Sequence, residues 1–162
     1  METIFYSENI NFVKISEDLI NDYLAMVNDI EGVARYIGKT TRIYSYEKEL
    51  AFVRRKLEAN AVIFSMIEKS SGDFIGNIEF MNVDNGCGEL GVAITAKKQN
   101  MHYGTEAIKR MIEYGFNMLG LKKIVLKVYA DNERAIHVYE KCGFVQYDVA
   151  DGEIFMEISN LI

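Results

Sequence analysis

Hydrophobic and polar residues alternate through the opening stretch TIFYSENINFVKI, a period of two that predicts a strand. Ser16 then stands as a cap before EDLINDYLAMVND, which carries helical spacing, and a second helix begins at Ser45 with Leu50, Val53 and Leu57 turned inward. Between them, EGVARYIGKTTRIY reads as a short helix and a loop. The period returns to two in AVIFSMIEK, FIGNIEFMNV and ELGVAIT, separated by the turns SSGD and DNGCG, which is the pattern of an antiparallel meander. It then changes to helical in QNMHYGTEAIKRMIEYGF, where Ala107, Ile108, Met111, Ile112, Gly115 and Leu119 form one apolar stripe and Gly120 stops the helix. KKIVLKVYA is a strand, NERAIHVYEKC a short helix stopped by Gly143, and FVQYDV and EIFMEISNL are the last two strands. The order is β, helices, a three-strand meander, then α, β, α, β, β, or about seven strands.

The central helix raises a chemical question. Its first turn leaves backbone N–H groups without partners and carries partial positive charge, a natural seat for a phosphate. A meander strand feeding this helix brings that end to the edge of the sheet.

Composition narrows the classes. A chain of 162 residues, 49% hydrophobic and 26% charged, suits one domain over residues 1–162 with a sizeable core. The formal charge of −6 argues against a nucleic-acid partner and permits a cationic substrate. No apolar run reaches membrane-spanning length and METIFYSENINF has no signal-peptide pattern, so the expected location is the cytoplasm, with no membrane partner. Cys87 and Cys142 have no metal-ligand spacing and are expected to stay reduced; no metal is expected.

Several motifs are set aside on context. GCGELG matches G-x-G-x-x-G, but it opens a strand, whereas a dinucleotide site needs the motif to open a helix. Signatures of P-loop, zinc-peptidase and hydrolase sites are absent from the sequence. Nothing in the spacing sets His102 or His137 against either thiol as a base. In DNERAIHVYEKCGF, Asn132 occupies a capping position and Tyr139 follows almost two helical turns later on nearly the same face. The pair is either a cap and a packing residue, or an amide at the mouth of a cleft with a proton-donating phenol deeper inside.

Taken together, ELGVAITAKKQNMHYGTEAIKRMIEYGF and DNERAIHVYEKCGF resemble the GCN5-related N-acetyltransferases, in particular the branch of ribosomal-protein and spermidine acetyltransferases. The resemblance is strongest over residues 74–144. It implies an α+β fold with a mixed, mostly antiparallel sheet flanked by helices, and acetyl-CoA as cosubstrate. In that family a turn Q/R-x-x-G-x-G/A gives backbone N–H groups to the cofactor diphosphate. Here it reads Gln99, Asn100, Met101, His102, Tyr103 and Gly104, followed by Thr105. His102 stands where the family has its first motif glycine; a side chain there either crowds the diphosphate or adds a hydrogen bond.

By the same resemblance, Val92 and Ile94 lie on the strand that pairs with the pantetheine arm, Asn132 contacts CoA, and Tyr139 protonates the leaving thiolate. An amine of pKa about 10 arrives protonated and needs a base. Glu79 is the expected one and Glu89 the second. The expected acceptor is a peptide or protein α-amine, with a small amine such as an amino acid, polyamine or drug as the alternative, because KTTRIY brings Lys39 and Arg42 where spermidine enzymes tend to be acidic. A homodimer is plausible for the family. A non-catalytic acyl-CoA-binding or scaffolding domain is the competing class, and retention of Asn132 and Tyr139 speaks against it.

Overall fold

A computed structural model describes residues 1–39 and 41–161. Two hairpin strands, β1 (Thr3–Tyr6) and β2 (Ile10–Lys14), lead to α1 (Ile20–Val27) and α2 (Tyr46–Glu58). The meander follows as β3 (Val62–Glu68), β4 (Phe74–Asp84) and β5 (Cys87–Ile94), and then come α3 (Tyr103–Asn117), β6 (Lys123–Tyr129), α4 (Glu133–Lys141), β7 (Val145–Ala150) and β8 (Glu153–Ser159). Among the described residues these strands form one eight-stranded sheet, ordered β1-β2-β3-β4-β5-β6-β8-β7. The additional strand arises because the opening alternation folds back on itself: the Ser7 N–H donates to the Ile10 carbonyl and turns one expected strand into a hairpin.

Capping works as the sequence reads. Ser16 accepts from the Asp18 N–H ahead of α1, and Ser45 accepts from the Lys48 N–H at the start of α2. Asn85 and Gly86, both at positive φ, make the tight β4–β5 turn, so GCGELG is a hairpin and not a nucleotide loop.

The sheet has a core on each face. Val13, Ile15, Val53, Ile63 and Ile67 pack with Ile20, Tyr23 and Met26 of α1 on one side. On the other, Ile78, Phe80, Leu90, Ile124, Leu126 and Met156 meet Ala107, Ile108 and Met111 of α3, with Ala135, Val138 and Tyr139 of α4 alongside. Every neighbouring pair of strands is antiparallel except β5 and β6. These two run parallel and are in register only from Cys87↔Lys123 to Glu89↔Val125. Beyond Glu89 they part. Among the described residues no helix is long and apolar enough to cross a membrane.

Candidate active site

The parting of β5 and β6 opens a cleft of about 710 Å³ that reaches both faces of the sheet. Strand alternation assigns its walls. Leu90, Val92 and Ile94 point with α3 and α4, where Thr105, Ile108, Ala135, Val138 and Tyr139 complete the lining. Glu89, Lys127, Tyr129 and Glu153 line the cleft on the other face, together with Tyr36, Ile37 and Gly38 of the loop between α1 and α2. A ligand in this gap contacts groups on both sides of a sheet that is closed elsewhere.

The α3 end of the cleft is built to receive an anion. Asn100 and His102 both have left-handed backbones, at φ 62° and 68°, and His102 is the residue from which α3 starts, without a side-chain cap. The N–H groups of Asn100, Met101 and His102 donate to nothing in the protein among the described residues, and the first turn of α3 adds the unsatisfied donors of any helix N-terminus. Gly104 lines the cleft, where a Cβ would lie 3.4 Å from Ile94 Cδ1, at ordinary contact distance. Arg134 and Lys141 of α4 also line the cleft and make this end basic.

Side chains hold the turn from three directions. Gln99 Nε2 donates to the carbonyls of Gly32 and Ile94, each at 2.9 Å, while its Oε1 accepts from Arg134. Lys98 pairs with Glu68 at 3.2 Å and Asp73 at 3.1 Å, and Tyr103 donates its hydroxyl to Glu68. Hydrogen bonds from Ser71 and Tyr103, then from Lys98, hold the Glu68 carboxyl down at about 2. Tyr103 thus serves the loop's foundation and is not among the cleft-lining residues, and neither is Met101, whose side chain is exposed. Val92, Ile94, Gln99, Asn100, His102, Gly104, Thr105, Asn132 and Tyr139 all line this one cleft.

Asn132 accepts from the Ala135 N–H at 3.3 Å, so it caps α4 while lining the cleft; the two readings of this residue are compatible. The Tyr139 hydroxyl has no hydrogen-bond partner among the described residues, and its ring packs edge-on against Phe144. Burial, with a smaller contribution from Cys142, pushes its phenol up to about 12. At neutral pH it holds its proton and has no competing acceptor among the described residues.

The two carboxylates proposed as base are separated by the structure. Glu79 lies outside the cleft lining and is engaged by Lys56 of α2 at 3.1 Å. Glu89 lines the cleft, with Lys127 Nζ at 4.0 Å and Asn82 Nδ2 at 3.4 Å. Arg134, Tyr129, Lys127 and Glu153 were not legible as site residues. Of these, Arg134 alone carried a signal, two positions after the capping Asn132.

The comparisons agree with this architecture. A spermidine N(1)-acetyltransferase of Vibrio cholerae is 28% identical over 104 residues, 63% of this chain and 60% of its own length. A spermidine N(1)-acetyltransferase of Escherichia coli is 31% identical over 93 residues, 56% of this chain and 48% of its own. The matches thus span about half to three-fifths of these curated relatives. The crystal structure of the spermidine N-acetyltransferase from Vibrio cholerae in complex with CoA and spermine shares the fold at a TM-score of 0.84, with 20% identity, covering 94% of this chain and 96% of that one. Residues 9–145 match the acetyltransferase (GNAT) domain, most of the sheet and all four helices included, and the chain belongs to that family.

Proposed function

We propose that this protein is an acetyl-CoA-dependent N-acetyltransferase acting on a small primary amine. The observation that carries the proposal is the gap between β5 and β6, with unused N–H donors at one end, acidic side chains on the opposite face and the unpartnered Tyr139 hydroxyl in its wall. Anionic donor and cationic acceptor suit opposite ends of such a cleft. The spermidine acetyltransferases among its relatives favour the small-amine reading over the peptide or protein α-amine that ranked first from sequence.

The residues present fit acetyl-CoA. The N–H groups of residues 100–102 and the first turn of α3 would bind the diphosphate, Arg134 and Lys141 would supply positive charge, and the open edge of β5 at Val92 and Ile94 would pair with the pantetheine arm. Acetyl-CoA supplies the acetyl thioester, and the acetyl group passes to the amine nitrogen as the C–N bond forms, the C–S bond breaks and CoA leaves as its thiol. Glu89 removes a proton from the acceptor ammonium, directly or through one water, so that the nitrogen has a free lone pair. Tyr139 gives its proton to the departing sulfur, whose own thiol form is favoured below about pH 8.5, and the second proton that the nitrogen sheds on becoming an amide restores the phenol.

The test is thiol release from acetyl-CoA with spermidine as acceptor, set beside calorimetric titration of acetyl-CoA. Micromolar binding with release that falls about 100-fold in Glu89→Gln is the expected result. Binding without release for spermidine, simple alkylamines or peptides would leave the competing class, a non-catalytic acyl-CoA-binding domain. No binding by the folded protein would remove the cofactor assignment altogether.

A further inference from the structure

At the acceptor mouth the chain places one of its own ammonium groups where a ligand's could sit. Lys39, in the loop between α1 and α2, lies with Nζ 4.4 Å from the centroid of the Tyr129 ring and 3.3 Å from Asp131 Oδ2. Tyr129 is the last residue of β6 and is the register partner of Glu153, the first residue of β8, so the two side chains stand beside each other on the same face of the sheet. Tyr129 and Glu153 both line the cleft, as does Gly38, the neighbour of Lys39. Glu153 is half-buried and its carboxylate carries no hydrogen bond or ion pair among the described residues. Lys127, the other cation on this face of the cleft, is directed to Glu89.

We propose that Tyr129, Asp131 and Glu153 form a second ammonium seat at the acceptor mouth, filled in the free protein by Lys39 and taken over by the distal ammonium of a diamine or polyamine. The inference rests on the acetyltransferase reading for the orientation of the substrate, with the reacting amine at Glu89. An aromatic face and a carboxylate are what a primary ammonium seeks, and Lys39 demonstrates that the geometry accepts one. The resident contact is easily exchanged. Both partners of the Lys39–Asp131 pair are more than half exposed, and such pairs hold weakly against a competing cation. An acceptor with one cation can reach Glu89 or the seat, whereas a diamine engages both and thereby gains affinity. This resolves the opposition noted in the sequence, where Lys39 replaces an expected acidic residue: its charge is spent on Asp131 and Tyr129 until an acceptor displaces it.

The seat lies four residues along β6 from the register partner of Glu89, roughly 13 Å, so the decisive measurement is calorimetric affinity of the full chain for 1,8-diaminooctane and for octylamine, in the presence of CoA. The ratio of diamine to monoamine affinity should rise about fivefold in Lys39→Ala, where the resident cation is gone, and fall about tenfold in Glu153→Gln. An unchanged ratio in both variants, or no diamine binding even in Lys39→Ala, overturns the seat. Turnover separates this outcome from the parent reading. A ratio that shifts while neither amine is acetylated keeps the seat and retires the enzyme; acetylation with an unresponsive ratio does the reverse. Should Glu153→Gln fail to fold, the exposed Lys39→Ala variant decides alone.

Discussion

Arg134 Nη2 donates to Gln99 Oε1 at 2.9 Å, while its Nη1 donates to Asn100 Oδ1 at 2.8 Å, so the start of α4 clasps the turn that precedes α3. Gln99 carries the connection onward to the Gly32 carbonyl in the loop at the acceptor mouth. One guanidinium therefore shapes the phosphate-binding turn and lies within reach of an anion there. Replacing Arg134 with alanine should raise KM for acetyl-CoA roughly tenfold with a smaller effect on kcat, because two charged hydrogen bonds to a solvent-facing loop are lost. Initial-rate kinetics at varied acetyl-CoA measure this; an unchanged KM removes Arg134 from the donor site.

His102 should be more costly to the fold than glycine would be. Its φ of 68° is a conformation that L side chains adopt at about 1–2 kcal/mol, partly offset by the greater freedom of an unfolded glycine. His102→Gly is expected to stabilise the protein by about 0.5–1 kcal/mol in urea denaturation. If stability falls instead, the imidazole makes a contribution larger than the backbone strain it imposes.

Tyr139 retains its proton far into the alkaline range, since burial raises its phenol to about 12. Ionisation of this acid should therefore produce no descending limb in kcat between about pH 7 and 10. Tyr139→Phe should lower kcat about 100-fold and leave stability nearly unchanged, because the hydroxyl forms no hydrogen bond among the described residues. A limb centred below pH 10 that disappears in Tyr139→Phe would contradict the protonated phenol.

Glu68 ties the β3–β4 turn to Lys98 and Tyr103 and so anchors the cofactor turn from below. Its carboxyl sits at about 2, against an ordinary 4.5, so its ionised form favours the folded state. That stabilisation is complete above about pH 4.5 and disappears as the pH falls toward 2. Urea midpoints across this window should decline less steeply for Glu68→Gln than for the unaltered protein. Parallel declines would show that the network contributes nothing to stability.

Crowding where α3 crosses the sheet gives a further check on the fold. A Cβ on Gly115 would lie 2.8 Å from Phe80 Cζ and 3.2 Å from Leu121 Cδ1. Gly115→Ala should thus cost about 1–3 kcal/mol in spite of alanine's better helix propensity. A gain in thermal stability would mean that Phe80 can move aside.

Local periodicity and capping chemistry were enough to read most elements of this protein. Alternation marked the meander, the apolar stripe from Ala107 to Gly115 marked α3, and Ser16, Ser45 and Asn132 marked helix starts. The turn from Gln99 to Thr105 and the pair Asn132 and Tyr139 were legible because their chemistry lies in short runs of adjacent or helically spaced residues. The division of Thr3 to Lys14 into a hairpin was hidden, since both strands share one alternating pattern and the turn carries no glycine. The choice between Glu79 and Glu89 was also hidden: both carboxylates occur on strands of the same face, and Lys56 and the opening of β6 distinguish them from elements distant in sequence. Arg134 against Gln99 and Lys39 over Tyr129 joining Glu153 belong to the same kind. Side-chain pairing across elements depends on how the sheet parts and how the loops return, and residue spacing along one strand or helix contains no record of it.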